Sequence, residues 1–207
     1  MKRKSSLLGA ALLGFAALAL AAPSGSHAAS SGAPEVRIVT TQGDIVVQLD
    51  PDKAPITVRN FLEYVKSGFY EGTIFHRVVP GFVIQGGGYT VGNQAKETRR
   101  PIPLEAANGL KNRRGTIAMA RTSDPNSATS QFYINLADNE SLDAGPTSLG
   151  YAVFGHVVSG MKVVDKIASV ETASSGPFRH APVVPVVIKN VVLIKANSAS
   201  QAESGSH

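Results

Sequence analysis

The sequence predicts a mainly β fold of about eight short strands and two helices in one chain. Three observations point there. The 207 residues include 20 Gly and 12 Pro, a composition that favours many turns over long helices. Short apolar runs recur between turn signals along most of the chain. Only two stretches carry the 3.6-residue periodicity of a helix. A closed eight-stranded antiparallel barrel capped by two helices fits this count. An open α+β sheet fits it too, and periodicity does not separate them.

The elements read in order. Glu35 to Thr41 and Asp44 to Asp50 are apolar-rich and split by the Gln42-Gly43 turn signal, which predicts a hairpin. Pro55 opens a helix in which Val58, Phe61, Leu62 and Val65 form one apolar stripe. Gly68 stands where a C-terminal glycine cap belongs. Gly72 to Val79 and Phe82 to Gln85 flank the Pro80-Gly81 turn. Gly115 to Ala120, Gln131 to Leu136 and Tyr151 to Val158 are further strands. Met161 to Val170 is the second helix, with Met161, Val164, Ile167 and Ala168 on one face. The dense β-branched run Val183 to Ile194 is the last strand.

The termini read differently. Lys2, Arg3 and Lys4 precede an apolar run, Leu7 to Ala22, and Ser26-His27-Ala28 is a small-x-small cleavage site. The pattern is that of a secretory signal peptide over 1–28, although the run is also of borderline length for a membrane anchor. Residues 29–34 read as a flexible leader, 35–195 as the folded domain and 196–207 as a polar, disordered tail. No other segment approaches spanning length, so no stable membrane insertion is expected after processing. The formal charge of +5, less the three charges of Lys2, Arg3 and Lys4, is +2. That is too small to argue for nucleic acid. With no Cys there are no disulfides and no thiolate metal sites.

Few patterns carry chemistry by themselves. Gly86-Gly87-Gly88 lacks the spacing of a phosphate loop and reads as a turn. The histidines after the signal segment, His76, His156, His180 and His207, form no i, i+4 pair, so no metal site is expected. No GxSxG elbow appears. Asn139-Glu140-Ser141 matches a short glycosylation sequon. Arg77, Gln85 and Gln131 stand out as polar residues set in apolar strands. Alternation puts Gln131 and Tyr133 on one strand face and Phe132 on the other. Such residues suit either a binding surface or an ordinary solvent-facing strand.

FHRVVPGFVIQGGG (Phe75 to Gly88) closely resembles the signature of the cyclophilins, the peptidyl-prolyl cis-trans isomerases. GTIAMAR (Gly115 to Arg121), SQFYINL (Ser130 to Leu136) and LGYAVFGHVVSGM (Leu149 to Met161) resemble further segments of that family in the same order. The resemblance covers about residues 35 to 195, and with the signal segment it is most similar to the periplasmic bacterial branch. It implies the closed eight-stranded barrel with two helices. It implies Arg77 as the catalytic arginine, with Gln85 orienting it. It implies substrate contacts from Phe82, Val83, Ala120, Arg121, Gln131, Tyr133, Leu142 and Tyr151. Tyr133 and Tyr151 depart from the commonest family pattern and are expected to bring hydroxyls near the proline pocket. Ser141 replaces a tryptophan that contacts cyclosporin in eukaryotic members, which implies weak binding of that ligand. The implied activity is X-Pro isomerisation in exported proteins, without metal or cofactor. The implied partners are proline-containing unfolded or exposed segments, with the protein a monomer in the periplasm. A non-catalytic module that only holds proline segments is the competing reading.

Overall fold

The computed structural model describes residues 32–195. The signal segment, the tail and the first residues of the leader lie outside the described residues. Pro34 is buried and its carbonyl accepts a hydrogen bond from the Leu49 amide, so the chain is already docked one residue before the first strand.

β1 (Glu35–Thr40) and β2 (Gly43–Leu49) form the expected hairpin. α1 (Pro55–Lys66) starts at a proline, whose missing N–H costs nothing at a helix N-terminus. Its start is held by Glu105, whose carboxylate accepts the amides of Ile56 and Thr57. It buries Val58, Phe61 and Val65 of the predicted stripe, leaves Leu62 only partly buried, and also buries Tyr64. β3 (Thr73–Val79) and β4 (Val83–Thr90) follow, joined at Pro80-Gly81. There the Phe82 amide donates to the Val79 carbonyl at 3.0 Å and Gly81 has φ +73°. That is a type II turn, which requires a positive φ at its third residue.

β5 (Thr116–Met119), β6 (Phe132–Asn135), β7 (Val153–Ser159) and α2 (Met161–Ala168) match the predicted elements to within two residues at each end. β8 (Thr172–Ser175) and β9 (Phe178–Pro182) form a separate two-stranded hairpin that the sequence did not announce. Most of its residues are not buried, so it lacks a clean apolar alternation. β10 (Val187–Lys195) begins later than expected, because Val183 and Val184 lie exposed in the preceding loop.

Eight strands close into an antiparallel barrel in the order β1-β10-β3-β4-β6-β5-β7-β2, so the open-sheet alternative is excluded. The core inside it includes Val36, Ile38, Phe75, Val78, Ile84, Phe132, Ile134 and Phe154, and extends beneath α1 and α2. Closure leaves no unpaired barrel edge. No helix among the described residues is long and apolar enough to cross a membrane.

The triple glycine is not a turn. Gly86, Gly87 and Gly88 lie within β4. Thr73 pairs with Thr90 while Phe75 pairs with Gly86, so three residues of β4 bulge opposite one of β3. Close approach explains the residue type. A Cβ at Gly86 would lie 2.8 Å from the Ile74 carbonyl oxygen, at Gly87 2.8 Å from the Phe132 ring, and at Gly88 2.5 Å from the Gln131 side chain.

A second irregularity sits on β3. Phe75 pairs with Gly86 and Arg77 with Gln85, which makes His76 an extra residue in the ladder. One inserted residue reverses which face the following side chains occupy. Phe75 and Val78, three apart, both join the inner core, and Arg77 is turned outward.

Candidate functional site

On the outer face of β4, β5, β6 and β7 a second, smaller apolar cluster forms. Val83, Ala118, Tyr133 and Val153 are buried in it, with Phe82, Leu110, Ala120, Leu142 and Tyr151 packed around them. A shallow pocket of about 170 Å³ opens there. Arg77, Phe82, Val83, Gln85, Ala120, Arg121, Tyr133, Leu142 and Tyr151 line it. Every site residue expected from the sequence is therefore at this pocket, except Gln131, which is bonded to its edge through Gln85.

The polar edge is a chain of three side chains. Arg77 Nη1 donates to Gln85 Oε1 at 3.3 Å, and Gln85 Nε2 donates to Gln131 Oε1 at 3.2 Å. A guanidinium can only donate, so Gln85 must present its oxygen to Arg77 and its amide nitrogen to Gln131. That leaves the Gln131 NH₂ as the donor at the chain's end. The Arg77 guanidinium also lies 5.7 Å from the centre of the Phe82 ring. Gly88 provides the space in which the Gln131 side chain lies.

The far wall holds Arg121. Its guanidinium lies 4.6 Å over the Tyr151 ring. Arg121 Nε and Nη2 both donate to the Gly150 carbonyl, at 3.1 and 2.9 Å, and Nη1 donates to the Thr122 carbonyl at 2.9 Å. The Ala120 amide is committed to the Gln131 carbonyl at 2.9 Å.

The floor differs from expectation in one respect. The Tyr133 hydroxyl is not offered to the pocket. It donates to Asn112 Oδ1 at 2.7 Å. Asn112 in turn donates through Nδ2 to the Leu142 carbonyl at 2.9 Å and to Asp143 Oδ1 at 3.0 Å. Burial, with the neighbouring Tyr151 and Asp143, pushes the Tyr133 phenol far above its ordinary range, so it stays a neutral donor. Partial burial pushes the Asp143 carboxyl up, but hydrogen bonds from Asn112 and the nearby Lys111 outweigh it and hold the pKa below the ordinary value.

Asn135 and Asn139 extend this network. Asn139 Nδ2 donates to the Phe82 carbonyl at 2.9 Å and to Asn135 Oδ1 at 2.7 Å. The Asn139 side chain is thus only 9% exposed and structurally engaged, which removes it as a glycosylation acceptor in the folded protein. Sequence reasoning missed Asn112 and Asn135. Asn135 carried a signal, a polar residue ending an apolar strand. Asn112 carried none, because its partner Tyr133 is 21 residues away. Ser141 faces a neighbouring polar groove rather than the pocket.

Among the described residues no group of His, Cys, Asp or Glu could hold a metal ion. The arrangement presents fixed hydrogen-bond donors beside a small apolar pocket and no nucleophile among its lining residues. It is suited to binding a compact apolar ring next to a polar backbone.

Comparison with known proteins agrees with this geometry. Residues 35–193 match the family described as cyclophilin type peptidyl-prolyl cis-trans isomerase/CLD. Peptidyl-prolyl cis-trans isomerase A of Dickeya dadantii is 53% identical over 178 residues, 86% of this chain and 93% of that protein. Peptidyl-prolyl cis-trans isomerase B of Escherichia coli is 54% identical over 157 residues, 74% of this chain and 96% of that protein. The crystal structure of a Cryptosporidium parvum cyclophilin type isomerase in the presence of the dipeptide Ala-Pro is 30% identical. It superposes with a TM-score of 0.66 over 78% of this chain and 99% of that one.

Proposed function

Because the chain belongs to the cyclophilin family of peptidyl-prolyl cis-trans isomerases and is an isomerase, we propose that it accelerates rotation about X-Pro bonds in exported polypeptides by non-covalent stabilisation of the twisted amide. The observation that carries this is the Arg77–Gln85–Gln131 chain along one edge of the apolar pocket.

A peptide bond resists rotation by ~18–20 kcal/mol because the nitrogen lone pair is shared with the carbonyl. Uncatalysed X-Pro exchange takes tens to hundreds of seconds. Bringing it to milliseconds requires about 10⁴-fold, roughly 6 kcal/mol off the barrier. No bond is made or broken, so the catalyst has only to bind the twisted amide better than either planar form.

In the twist the lone pair returns to nitrogen and accepts a hydrogen bond. The Arg77 guanidinium is the donor placed for it, and the Gln85 oxygen holds that guanidinium in one orientation. Such a charge-assisted bond contributes about 1.5–3 kcal/mol, less than the requirement. The remainder falls to the pocket. Phe82, Val83, Tyr133 and Leu142 hold the proline ring still and favour the less charge-separated twisted amide over water. With Gln85 engaged at both ends, the Gln131 NH₂ is the donor for the substrate backbone. The Ala120 carbonyl and Arg121 amide align the rest of the chain.

The test is isomerisation of an X-Pro peptide by wild type and by Arg77→Ala. The variant is expected to lose at least about tenfold in kcat/KM, 1.4 kcal/mol or more of transition-state binding. Equal rates would remove Arg77 from the mechanism. The signal segment supports a periplasmic site of action. Mass spectrometry of the protein from a periplasmic fraction is expected to give a chain beginning after Ala28. A full-length membrane-associated chain would contradict export by cleavage.

A further inference from the structure

The pocket lining contains two guanidinium groups, Arg77 and Arg121, and no carboxylate. Neither arginine takes part in an ion pair among the described residues. The reaction at the amide uses one of the two cations. The other sits across the pocket, on the same wall as Tyr151 and Leu142.

Arg121 is held rigidly. Stacking on Tyr151 and two bonds to one carbonyl fix the plane of its guanidinium. Three of its five N–H groups are spent on the Gly150 and Thr122 carbonyls, which leaves two for a ligand. Two acids on neighbouring segments are engaged elsewhere. Asp143 is bound to Asn112 and paired with Lys111, and Asp124 Oδ1 accepts the Asn126 amide. A pre-positioned cation without an anionic partner, at the rim of a peptide pocket, favours a carboxylate on the bound chain.

We propose that Arg121 is a specificity-determining residue, selecting X-Pro segments that carry an acidic side chain flanking the proline. This rests on the isomerase reading of the same pocket. The charge on the partner side chain, rather than the proline, is what Arg121 reads. Lysine at a flanking position would meet two like charges and be disfavoured.

The experiment compares kcat/KM for three matched X-Pro peptide sets differing only in the flanking residue: Glu, Gln or Lys, placed before the X-Pro unit in one series and after it in the other. In at least one series the wild type is expected to prefer Glu over Gln by about fivefold at low salt, the scale of an exposed ion pair. The preference narrows at high ionic strength. In Arg121→Gln the Glu-to-Gln ratio falls to near one, whatever happens to the rate on the neutral peptide. Arg121→Lys, which keeps the charge and loses the planar anchor, retains a partial preference and serves if the first variant folds poorly. Equal wild-type rates on Glu and Gln peptides in both series would overturn the proposal. So would a ratio left unchanged by Arg121→Gln. Failure of the isomerase reading looks different, since no peptide would then be accelerated at all.

Discussion

Strands β3, β4 and β6 present two opposed faces built from neighbouring residues. Inward, Phe75, Val78, Ile84, Phe132 and Ile134 are fully or almost fully buried in an apolar core. Outward, Arg77, Val83, Gln85 and Tyr133 surround a shallow pocket with partly exposed polar edges. The inner face supplies stability through apolar area removed from water. The outer face supplies donors fixed in direction. Because the two sets alternate along the same backbone, the rigid core is what positions the donors, while each face can be altered without removing the other.

The comparison can be broken first from the inside. Phe132→Ala removes a fully buried ring that meets Phe61, Tyr70 and Phe75 edge-on. It is expected to cost about 3–5 kcal/mol of unfolding free energy in denaturant titration. A cost under about 1 kcal/mol would mean that the inner face is not the source of stability.

His76, the extra residue between the faces, gives the next effect. It is 4% exposed, stacks with Tyr89 and Phe178, and its Nδ1 has no partner. Burial, with the Arg77 charge beside it, lowers its pKa from 6.5 to about 4. As pH falls from 6.5 to 4 the unfolded chain takes up this proton before the folded one does. The stability is therefore fully present above about pH 6.5 and is lost toward pH 4, by roughly 3 kcal/mol at most. His76→Phe, which fits the aromatic group, should flatten that part of the stability–pH curve. An unchanged slope would assign acid sensitivity to other groups, Asp143 among them.

Arg77→Ala sharpens the contrast from the outside. Alongside its tenfold or greater loss of activity, its unfolding free energy should change by less than about 0.5 kcal/mol, since a partly exposed side chain without an ion pair is removed. Smallest on catalysis is Tyr133→Phe. Its hydroxyl holds Asn112 rather than substrate, so kcat/KM should change less than about twofold. Stability should fall by about 1 kcal/mol, as the Asn112 oxygen loses the closer of its two donors and keeps only Asn135 Nδ2 at 3.3 Å. A large catalytic loss with stability intact would place the hydroxyl in the pocket after all.

Most strands were legible because turn signals bracket them, and both helices because of their stripes and the proline at the start of α1. The β8–β9 hairpin was not, since strands that bury little show no strong apolar pattern. The glycine run was misread for a related reason. Glycine marks close approach as well as turning, and only the positions of Ile74, Phe132 and Gln131 distinguish the two.

Local sequence and family resemblance determined the residue types at the site, Arg77, Phe82, Gln85 and Gln131 above all, together with the pocket residues and the strand-and-helix count. These are properties of short segments, and each segment carries them unaided. Three matters rest on contacts between distant segments, although the family resemblance already implied the first. Barrel closure over an open sheet depends on β1 meeting β10 from opposite ends of the domain. The Tyr133 hydroxyl is turned to Asn112 by a contact across 21 residues. Arg77 faces the pocket because the His76 bulge reverses the alternation of β3, and a bulge is a mismatch between two strands that neither strand's sequence contains by itself.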